Sequence, residues 1–369
     1  RFVLADRTND SLWAVDDLNG NGIIDEPGEL VLMFNSANAA GTLGISNPTS
    51  LGVRSDGLVM YGDQLATKIY MMKDLNRDGD CQDIGESWIA AEAGNAAGVN
   101  FAFPTGAAFD PLGVAYIVNA GNGFGNDAVY RLVDLNGDKD FQDPGEIIEY
   151  VGTGFFGPGN GAYSPQELVF DPTATSPVVG YVHNSSSGLF GVFKFKDADG
   201  NGRADDAGEV TAYWDLTGSS GVTPGAGFAL ELDAARPGSM YVQQTATGGV
   251  DQVVRLTDLN GDGDAQDAGE AVLVYSTAEA GFTAIDLVSL ANGQLLITDN
   301  SGKKVYVLTD LNLDGLFTGA GERAVFFANS TLMVGDIRQG SPIARVCVGN
   351  CDLSTVAPVL NVNDFQCFL

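Results

Sequence analysis

The residues best suited to chemistry in this chain are the acids and amides of a thirteen-residue segment that occurs six times. The copies, named here loops 1 to 6, begin at Asp17, Asp74, Asp134, Asp197, Asp258 and Asp310. In loop 5, DLNGDGDAQDAGE, side-chain oxygens fall at positions 1, 3 and 5, on Asp258, Asn260 and Asp262. Alternating oxygen donors, followed by a late glutamate that can bind through both oxygens, suit a hard cation with about seven ligands. The spacing therefore predicts a calcium site in each loop, about six ions in all.

The predicted ligands occupy equivalent positions in every loop. Position 7 offers either an aspartate or only a backbone carbonyl, an acid follows at position 9 or 10 in the first five loops, and all six loops have Glu at position 13. Position 6 is Gly in five loops, with Lys139 as the exception, and position 12 is Gly in all six. The predicted ligands are Asp17, Asn19, Asn21, Ile23, Asp25, Glu29, Asp74, Asn76, Asp78, Asp80, Asp83, Glu86, Asp134, Asn136, Asp138, Asp140, Asp143, Glu146, Asp197, Asp199, Asn201, Arg203, Asp205, Glu209, Asp258, Asn260, Asp262, Asp264, Asp267, Glu270, Asp310, Asn312, Asp314, Leu316 and Glu322.

The charge of the chain is concentrated in these loops. The whole chain has 48 acids against 18 Lys and Arg, a net charge of −30, and the loops contain 27 of those acids with only three bases. The loops therefore account for −24 of the −30. So acidic a surface repels nucleic acid and anionic membranes, which excludes both as partners. Solvated acidic turns without metal are the alternative, and six copies with matched oxygen spacing argue against it. Catalysis within the loops is disfavoured because their ligand sets look complete.

At positions 1, 3, 5 and 6 the loops resemble the calcium loops of EF-hand and dockerin proteins. They differ in placing Glu one position later and in having strand-like sequences on both sides. The resemblance implies calcium and its ligands, but not the helix-opening switch of sensor EF-hands. Loop 6 departs furthest from the pattern, with Thr318 and Gly319 at positions 9 and 10.

The segments around the loops predict the fold. Loop starts are separated by 57, 60, 63, 61 and 52 residues, a period typical of propellers and solenoids. Runs such as KIYMMK before a loop and ESWIAA after it alternate like strands, and two more strand-like runs lie upstream in each unit. Four strands in each of six units predict an all-β, six-bladed β-propeller. The first unit has only three strands, and residues 331–337 can supply its missing innermost strand. Strand order and blade length resemble six-bladed propellers of the NHL and gluconolactonase-like kind.

The chain divides into a propeller over residues 1–338 and a cysteine-containing tail over 339–369. The tail holds three of the four cysteines and resembles half of a dockerin module. Cys351–Cys367 is the expected local disulfide, with a Cys81–Cys347 bridge as a further option. We expect a secreted or cell-surface protein, because Arg1 leads directly into a strand as in a processed chain and no apolar run could span a membrane.

Two weaker sequence signals can each be explained by packing alone. His183 is the single histidine and is expected to be packed or on the surface, since one histidine allows few catalytic triads. The Gly-rich segments between units contain Phe101, Phe155 and Phe156, which either pack under their own loops or form an adhesive rim.

These features predict a non-catalytic, calcium-stabilised extracellular structural protein that associates with itself, in oligomers or filaments, or with a cell-surface polymer or glycan. Two alternatives stay open. One is a propeller hydrolase of the lactonase or phytase type with a metal in its central channel; a phytase needs more bases than the chain supplies, and a lactonase needs further acid and Asn residues facing the channel. The other is a carbohydrate-binding module that uses the aromatic rim.

Overall fold

The computed structural model is an all-β, six-bladed propeller, as the sequence predicted. It describes residues 2–39, 44–120, 127–152, 155, 164–185, 188–246, 249–279, 281–328 and 334–339. In that part of the chain no helix is long and apolar enough to cross a membrane. The strands are β1 Phe2–Asp6, β2 Ser11–Val15, β3 Leu30–Asn35, β4 Pro48–Val53, β5 Val59–Asp63, β6 Lys68–Met72, β7 Ser87–Ala91, β8 Pro104–Phe109, β9 Ala115–Asn119, β10 Ala128–Leu132, β11 Ile147–Val151, β12 Pro165–Thr175, β13 Val178–Asn184, β14 Gly191–Lys196, β15 Val210–Asp215, β16 Leu230–Leu232, β17 Ser239–Ala246, β18 Val250–Thr257, β19 Ala271–Thr277, β20 Ala284–Ser289, β21 Leu295–Asp299, β22 Lys304–Leu308, β23 Arg323–Ala328 and β24 Val334–Gln339.

Each blade is a four-stranded antiparallel sheet. Blade 1 has the order β24-β1-β2-β3, and blades 2 to 6 are the consecutive groups β4–β7, β8–β11, β12–β15, β16–β19 and β20–β23. The six loops join the third and fourth strands of each blade. Because successive side chains of a strand point to opposite faces, every blade contributes to two apolar layers. In β5, Met60 packs in the layer shared with blade 3, whereas Tyr61 packs in the layer shared with blade 1.

The ring closes through a strand from the C-terminal side, as expected. Strand β24 pairs antiparallel with β1, and the register places Leu4 opposite Ile337. The strand spans Val334–Gln339, three residues beyond the predicted start at 331. Residues 340–369, which include the predicted tail and its three cysteines, lie outside the described part of the chain. The tail, its dockerin-like character and its disulfides therefore stay predictions.

Side-chain hydrogen bonds connect the innermost strands of neighbouring blades. A hydroxyl or carboxylate of one strand bonds to the backbone of the next, which satisfies buried polar groups that the ladders leave unpaired. The bonds are Thr49 Oγ1 to Pro104 O at 2.6 Å, Thr105 Oγ1 to Pro165 O at 2.8 Å, Ser289 N to Glu231 Oε1 at 3.2 Å and Ile337 N to Asp286 Oδ2 at 2.8 Å.

Of the aromatic residues between the blades, the two that the structure describes pack against neighbouring rings of the propeller. Phe101 is fully buried and packs edge-on against Tyr130, and the Phe155 ring packs against Phe193 with centroids 5.2 Å apart. Phe156 lies outside the described residues. Because Phe101 and Phe155 pack against neighbouring rings, these two residues no longer support the carbohydrate-binding alternative. Cys81 is also buried, and it forms no disulfide within the described part of the chain.

His183 is packed in the protein interior. It is fully buried on β13, opposite Glu167 of β12, and neither ring nitrogen has a hydrogen-bond partner. Burial lowers the pKa of His183 to about 4. At neutral pH the imidazole is therefore uncharged and packed in the protein interior.

We expect the ring closure to depend on Asp286. Its Oδ1 accepts the Leu287 N–H and its Oδ2 accepts the Ile337 N–H, so both oxygens must be acceptors. Asp286→Asn, which turns one oxygen into a donor, and Asp286→Ala should each lower the free energy of unfolding by about 1–3 kcal/mol. Urea titration measures this. Glu92→Gln, at the exposed ion pair with Lys68, is the control and should change stability by less than about 0.5 kcal/mol. Equal effects at the two sites would contradict the role of Asp286.

The buried His183 makes stability pH-dependent with a defined sign. Its pKa is depressed in the folded state, so as the pH falls below 6.5 the unfolded chain takes up a proton that the folded chain refuses until about pH 4. Stability is lost over that window by on the order of 3 kcal/mol. His183→Leu should keep the fold at neutral pH and show a shallower loss than wild type. Thermal melts from pH 7 to 4 test this, and parallel profiles would contradict it.

Candidate metal centres

All six loops adopt one backbone conformation. Positions 4, 6 and 12 have positive φ in every copy, from 62° at Leu313 to 110° at Gly79. Glycine tolerates this region without steric cost, which explains its frequency at these positions. The requirement at position 4 was missed in the sequence, because Arg77 and Leu313 stand there in loops 2 and 6. Their left-handed backbone shows that the turn geometry is imposed even where the residue type opposes it.

The first Asp and the last Glu organise each loop by accepting backbone N–H groups. In loop 5, Asp258 Oδ2 accepts the Gly263 N–H at 2.9 Å, and Glu270 accepts the N–H groups of Leu259 and Asp267 at 2.8 and 2.9 Å. All six loops repeat these three contacts between equivalent positions. The glutamates are at most 4% exposed. Position 13 therefore latches the two ends of the loop together as well as offering carboxylate oxygens to a metal.

The side chain at position 5 supports the following turn. Its Oδ1 accepts the N–H of position 7 in every loop, including the three loops with Ile23, Arg203 and Leu316 at that position. These three residues bring no side-chain oxygen, so only their carbonyls are available as ligands. In loops 2, 3 and 5 the aspartate at position 7 instead accepts the N–H of a glutamine at position 9.

Loops 2, 3 and 4 bring three carboxylates within 4.8 Å of one another. In loops 1, 5 and 6 the predicted acids form no such trio among the described residues. Asp206, at position 10 of loop 4, belongs to a trio and was missing from the predicted ligands, although Asp83, Asp143 and Asp267 at the same position were included. Aligning the loops at position 10 would have found it. The trios are Asp74, Asp78 and Glu86; Asp138, Asp140 and Glu146; Asp197, Asp199 and Glu209; and Asp205, Asp206 and Glu209.

The amide at position 3 contacts the carboxylates at positions 5 and 10. In loop 5, Asn260 Nδ2 lies 3.0 Å from Asp262 Oδ2 and 2.6 Å from Asp267 Oδ2. Asn76 and Asn136 make the same pair of contacts in loops 2 and 3. A partially positive N–H group thus lies between two carboxylates that would otherwise repel each other.

The electrostatics of the loops follow from this crowding. The charge of Asp199, followed by burial, raises the pKa of Asp206. Burial, followed by the charge of Glu146, raises the pKa of Asp143. By contrast, the N–H groups that the position-13 carboxylate accepts lower the pKa of Glu29 and Glu209. The carboxylate at position 13 is therefore stabilised in its ionised form, whereas the neighbouring acids repel one another. A bound cation would reduce this repulsion.

Each loop is also docked onto the preceding blade. The residue at position 8 is at most 7% exposed, and its N–H donates to a carbonyl of the outermost strand of that blade. The contact occurs in all six loops, so the loops form a closed ring of inter-blade bonds. The donors and acceptors are Ile24 and Phe326 at 2.8 Å, Cys81 and Met33 at 2.9 Å, Phe141 and Ala90 at 2.7 Å, Ala204 and Tyr150 at 2.8 Å, Ala265 and Tyr213 at 2.7 Å, and Phe317 and Val274 at 2.7 Å.

A pocket of about 720 Å³ lies where the innermost strands end, near the propeller axis. The first and third strands of a blade run in the same direction, so the pocket opens on the face that carries the loops. Its lining is mainly apolar, with the acids Asp171, Glu231 and Asp233 and no Lys or Arg among the described residues. Glu231 and Ser289 come from adjacent blades, and the Ser289 N–H donates to Glu231 Oε1.

Comparison with known proteins identifies the fold and no family. The sequence matches no protein-family model and no curated protein. The structure is similar to TolB from Acinetobacter baumannii, with 12% identity, a TM-score of 0.53 and coverage of 91% of this chain and 65% of that one. It is similar to a putative 6-phosphogluconolactonase from Bacteroides uniformis, with 15% identity, a TM-score of 0.51 and coverage of 91% and 84%. It is also similar to an aldose sugar dehydrogenase from Streptomyces coelicolor, with 11% identity, a TM-score of 0.51 and coverage of 78% and 84%.

These neighbours correct one sequence-based expectation. The prediction of a non-catalytic, self-associating structural protein is contradicted, because structural neighbours include enzymes such as the lactonase and the dehydrogenase. The error arose because the repeated loops dominate the sequence, whereas the axial pocket is assembled from short pieces of five blades. The six-bladed β-propeller architecture is confirmed, and a putative 6-phosphogluconolactonase is among its structural neighbours.

Proposed function

We propose that this chain is a calcium-binding β-propeller that takes up six calcium ions, one in each loop, in an EF-hand-like or dockerin-like manner. The observation that carries the proposal is the common conformation of the loops, with positive φ at positions 4, 6 and 12 and a buried glutamate at position 13. Oxygen ligands on a tight turn are the arrangement that calcium prefers. The carboxylate trios of loops 2, 3 and 4 support it directly.

Calcium bound in this way would stabilise contacts between blades. The loop presents its position-8 residue to the preceding blade, as Phe141 does to Ala90 and Phe317 does to Val274. A cation that neutralises the loop acids fixes the turn on which this residue sits. Six ions would therefore act on the same closed ring of contacts. Secretion is expected from the sequence alone and stays a prediction.

Removal of calcium should destabilise the whole protein. At millimolar calcium, a site of the extracellular type contributes about 0.4–1.4 kcal/mol, so six sites contribute several kcal/mol. Chelation also restores repulsion within the loops. We expect EDTA to lower the melting temperature by several degrees and added calcium, but not equimolar sodium, to restore it. An unchanged melting curve would refute structural calcium, and metal analysis of the dialysed protein measures the number of ions.

The loops should differ in how much stability calcium gives them. Glu270 and Glu322 latch equivalent N–H groups, so Glu270→Ala and Glu322→Ala should cost similar stability in EDTA. With calcium present, Glu270→Ala should cost more, since loop 5 has acids at positions 1, 5, 7, 10 and 13 and loop 6 only at 1, 5 and 13. Melting both variants with and without calcium tests this. Equal losses in calcium would show that ligand charge does not rank the sites.

A second candidate function is hydrolysis of a small ester or lactone in the axial pocket. The pocket volume lies within the usual range for small-molecule sites. We assign Glu231 as the general base, because it lines the pocket from β16 and the Ser289 N–H bonded to its Oε1 orients the carboxylate. The Bacteroides neighbour is named for a phosphorylated lactone. The absence of Lys and Arg from the described lining favours an uncharged substrate instead and disfavours a phytase.

This candidate makes a direct prediction about Glu231. The calcium-loaded protein should hydrolyse uncharged lactones or aryl esters and leave phosphate monoesters intact. Glu231→Gln keeps an acceptor for the Ser289 N–H but removes the base, so kcat should fall about 100-fold or more without a change in melting temperature. Glu279→Gln, on the protein surface, is the control. Absence of turnover in the wild type, or full activity of Glu231→Gln, would refute the assignment.

A further inference from the structure

A second cavity lies between blades 2 and 3; it borders loop 3 at the proposed ligand Asp134 and shares Phe109 with the lining of the axial pocket. It measures about 470 Å³. Leu58, Met71, Leu132 and Phe141 are buried in its apolar wall, and the rings of Trp88 and Phe109 are only partly buried. Asp134, whose oxygens accept the N–H groups of Gly137 and Lys139, also lines it.

The cavity lies beside a third strand that has no base at a position where blades 3, 4 and 5 carry one. In blades 4 and 5, a base on the third strand reaches the next loop and donates to its position-6 carbonyl, Lys194 to Gly263 O at 3.4 Å and Arg255 to Gly315 O at 3.0 Å. Blade 2 has the uncharged Met71 at the equivalent strand position. The corresponding carbonyl, that of Lys139, is bonded instead by Trp88 Nε1 at 2.6 Å. The space that Lys194 and Arg255 occupy elsewhere is left open.

Three cations surround this apolar space in a chain that has only 18 bases. Arg54 and Lys73 share a single carboxylate, Asp56, each at 2.8 Å. The Lys139 ammonium lies 5.6 Å from the Trp88 ring centroid, and the Arg54 guanidinium lies 5.5 Å from that of Phe109. Each aromatic wall thus carries a cation at its face.

Lys139 itself is unusual. It occupies position 6 of loop 3 with φ of 79°, where every other loop has glycine. A side chain in this left-handed conformation is disfavoured relative to glycine. Loop 3, which contains this exception, borders the cavity through the Lys139 ammonium and the Phe141 ring.

We propose that the cavity between blades 2 and 3 binds an amphipathic organic anion, an aryl or short alkyl group that carries one carboxylate. The apolar part lies against Met71, Trp88 and Phe109, and the carboxylate lies between Lys139 and the pair Arg54 and Lys73. Apolar walls with a few convergent charges are typical of small-molecule sites. The site does not depend on hydrolysis in the axial pocket.

Phenylbutyrate is a suitable probe, with phenylbutyramide as its uncharged match. Titration followed by calorimetry and by tryptophan fluorescence should show saturable binding of the acid, with a signal from Trp88, and binding of the amide at least about 10-fold weaker.

Lys139→Gly restores the residue found in the other loops, so it should fold at least as stably as wild type. It should weaken the acid about 10-fold or more and leave the amide unchanged.

Two further variants separate this site from non-specific binding. Met71→Arg places in blade 2 the type of residue that fills the groove in blade 5, and it should abolish binding of both probes. Lys194→Met, at the junction of blades 4 and 5, removes a lysine that contacts the position-6 carbonyl of loop 5, and it should leave binding unchanged. No saturable binding, equal affinity for acid and amide, or an unaltered Lys139→Gly would each overturn the proposal. The melting temperature of every variant is measured alongside, and each variant is compared only with calcium present.

Discussion

The structure depends on one contact that is repeated six times, the hydrogen bond from position 8 of each loop to the preceding blade. A propeller blade has two apolar faces and no fold of its own, so the molecule is stable only when neighbouring blades are held together. The bond from Ile24 to Phe326 extends the series across the junction of blades 1 and 6. The loops are therefore a structural part of the closed ring of blades.

This arrangement places the highest charge density at the same points that hold the blades together. The loops carry −24 of the net charge, yet each presents a buried residue at position 8 and a buried glutamate at position 13. Backbone N–H groups satisfy part of this charge, as at Glu270, and the amide of Asn260 satisfies another part. What remains is repulsion that a divalent cation, bound as we propose, would remove, and such binding would link the metal content of the loops to the integrity of the whole ring.

The axial region uses its polar residues differently. Thr49, Thr105 and Asp286 bond the backbone of the next innermost strand, so these groups are occupied in holding the ring. The open space lies further along the axis, where the lining is apolar and Glu231 projects from β16. The cavity between blades 2 and 3 lies beside a blade that has Met71 where blades 3, 4 and 5 carry Arg131, Lys194 and Arg255.

The sequence by itself determined the features that are local. Alternation within runs such as KIYMMK predicted β6, the glycine at position 6 predicted the sharp turn, and the count of strands predicted closure by a strand at residues 331–337. Only the tertiary structure decided which residues meet across about sixty residues of chain. It buried Phe101 instead of exposing it, and it placed Cys81 against Met33. Hydrogen bonds and packing between blades depend on the relative position of whole sheets, which no local pattern of residues encodes.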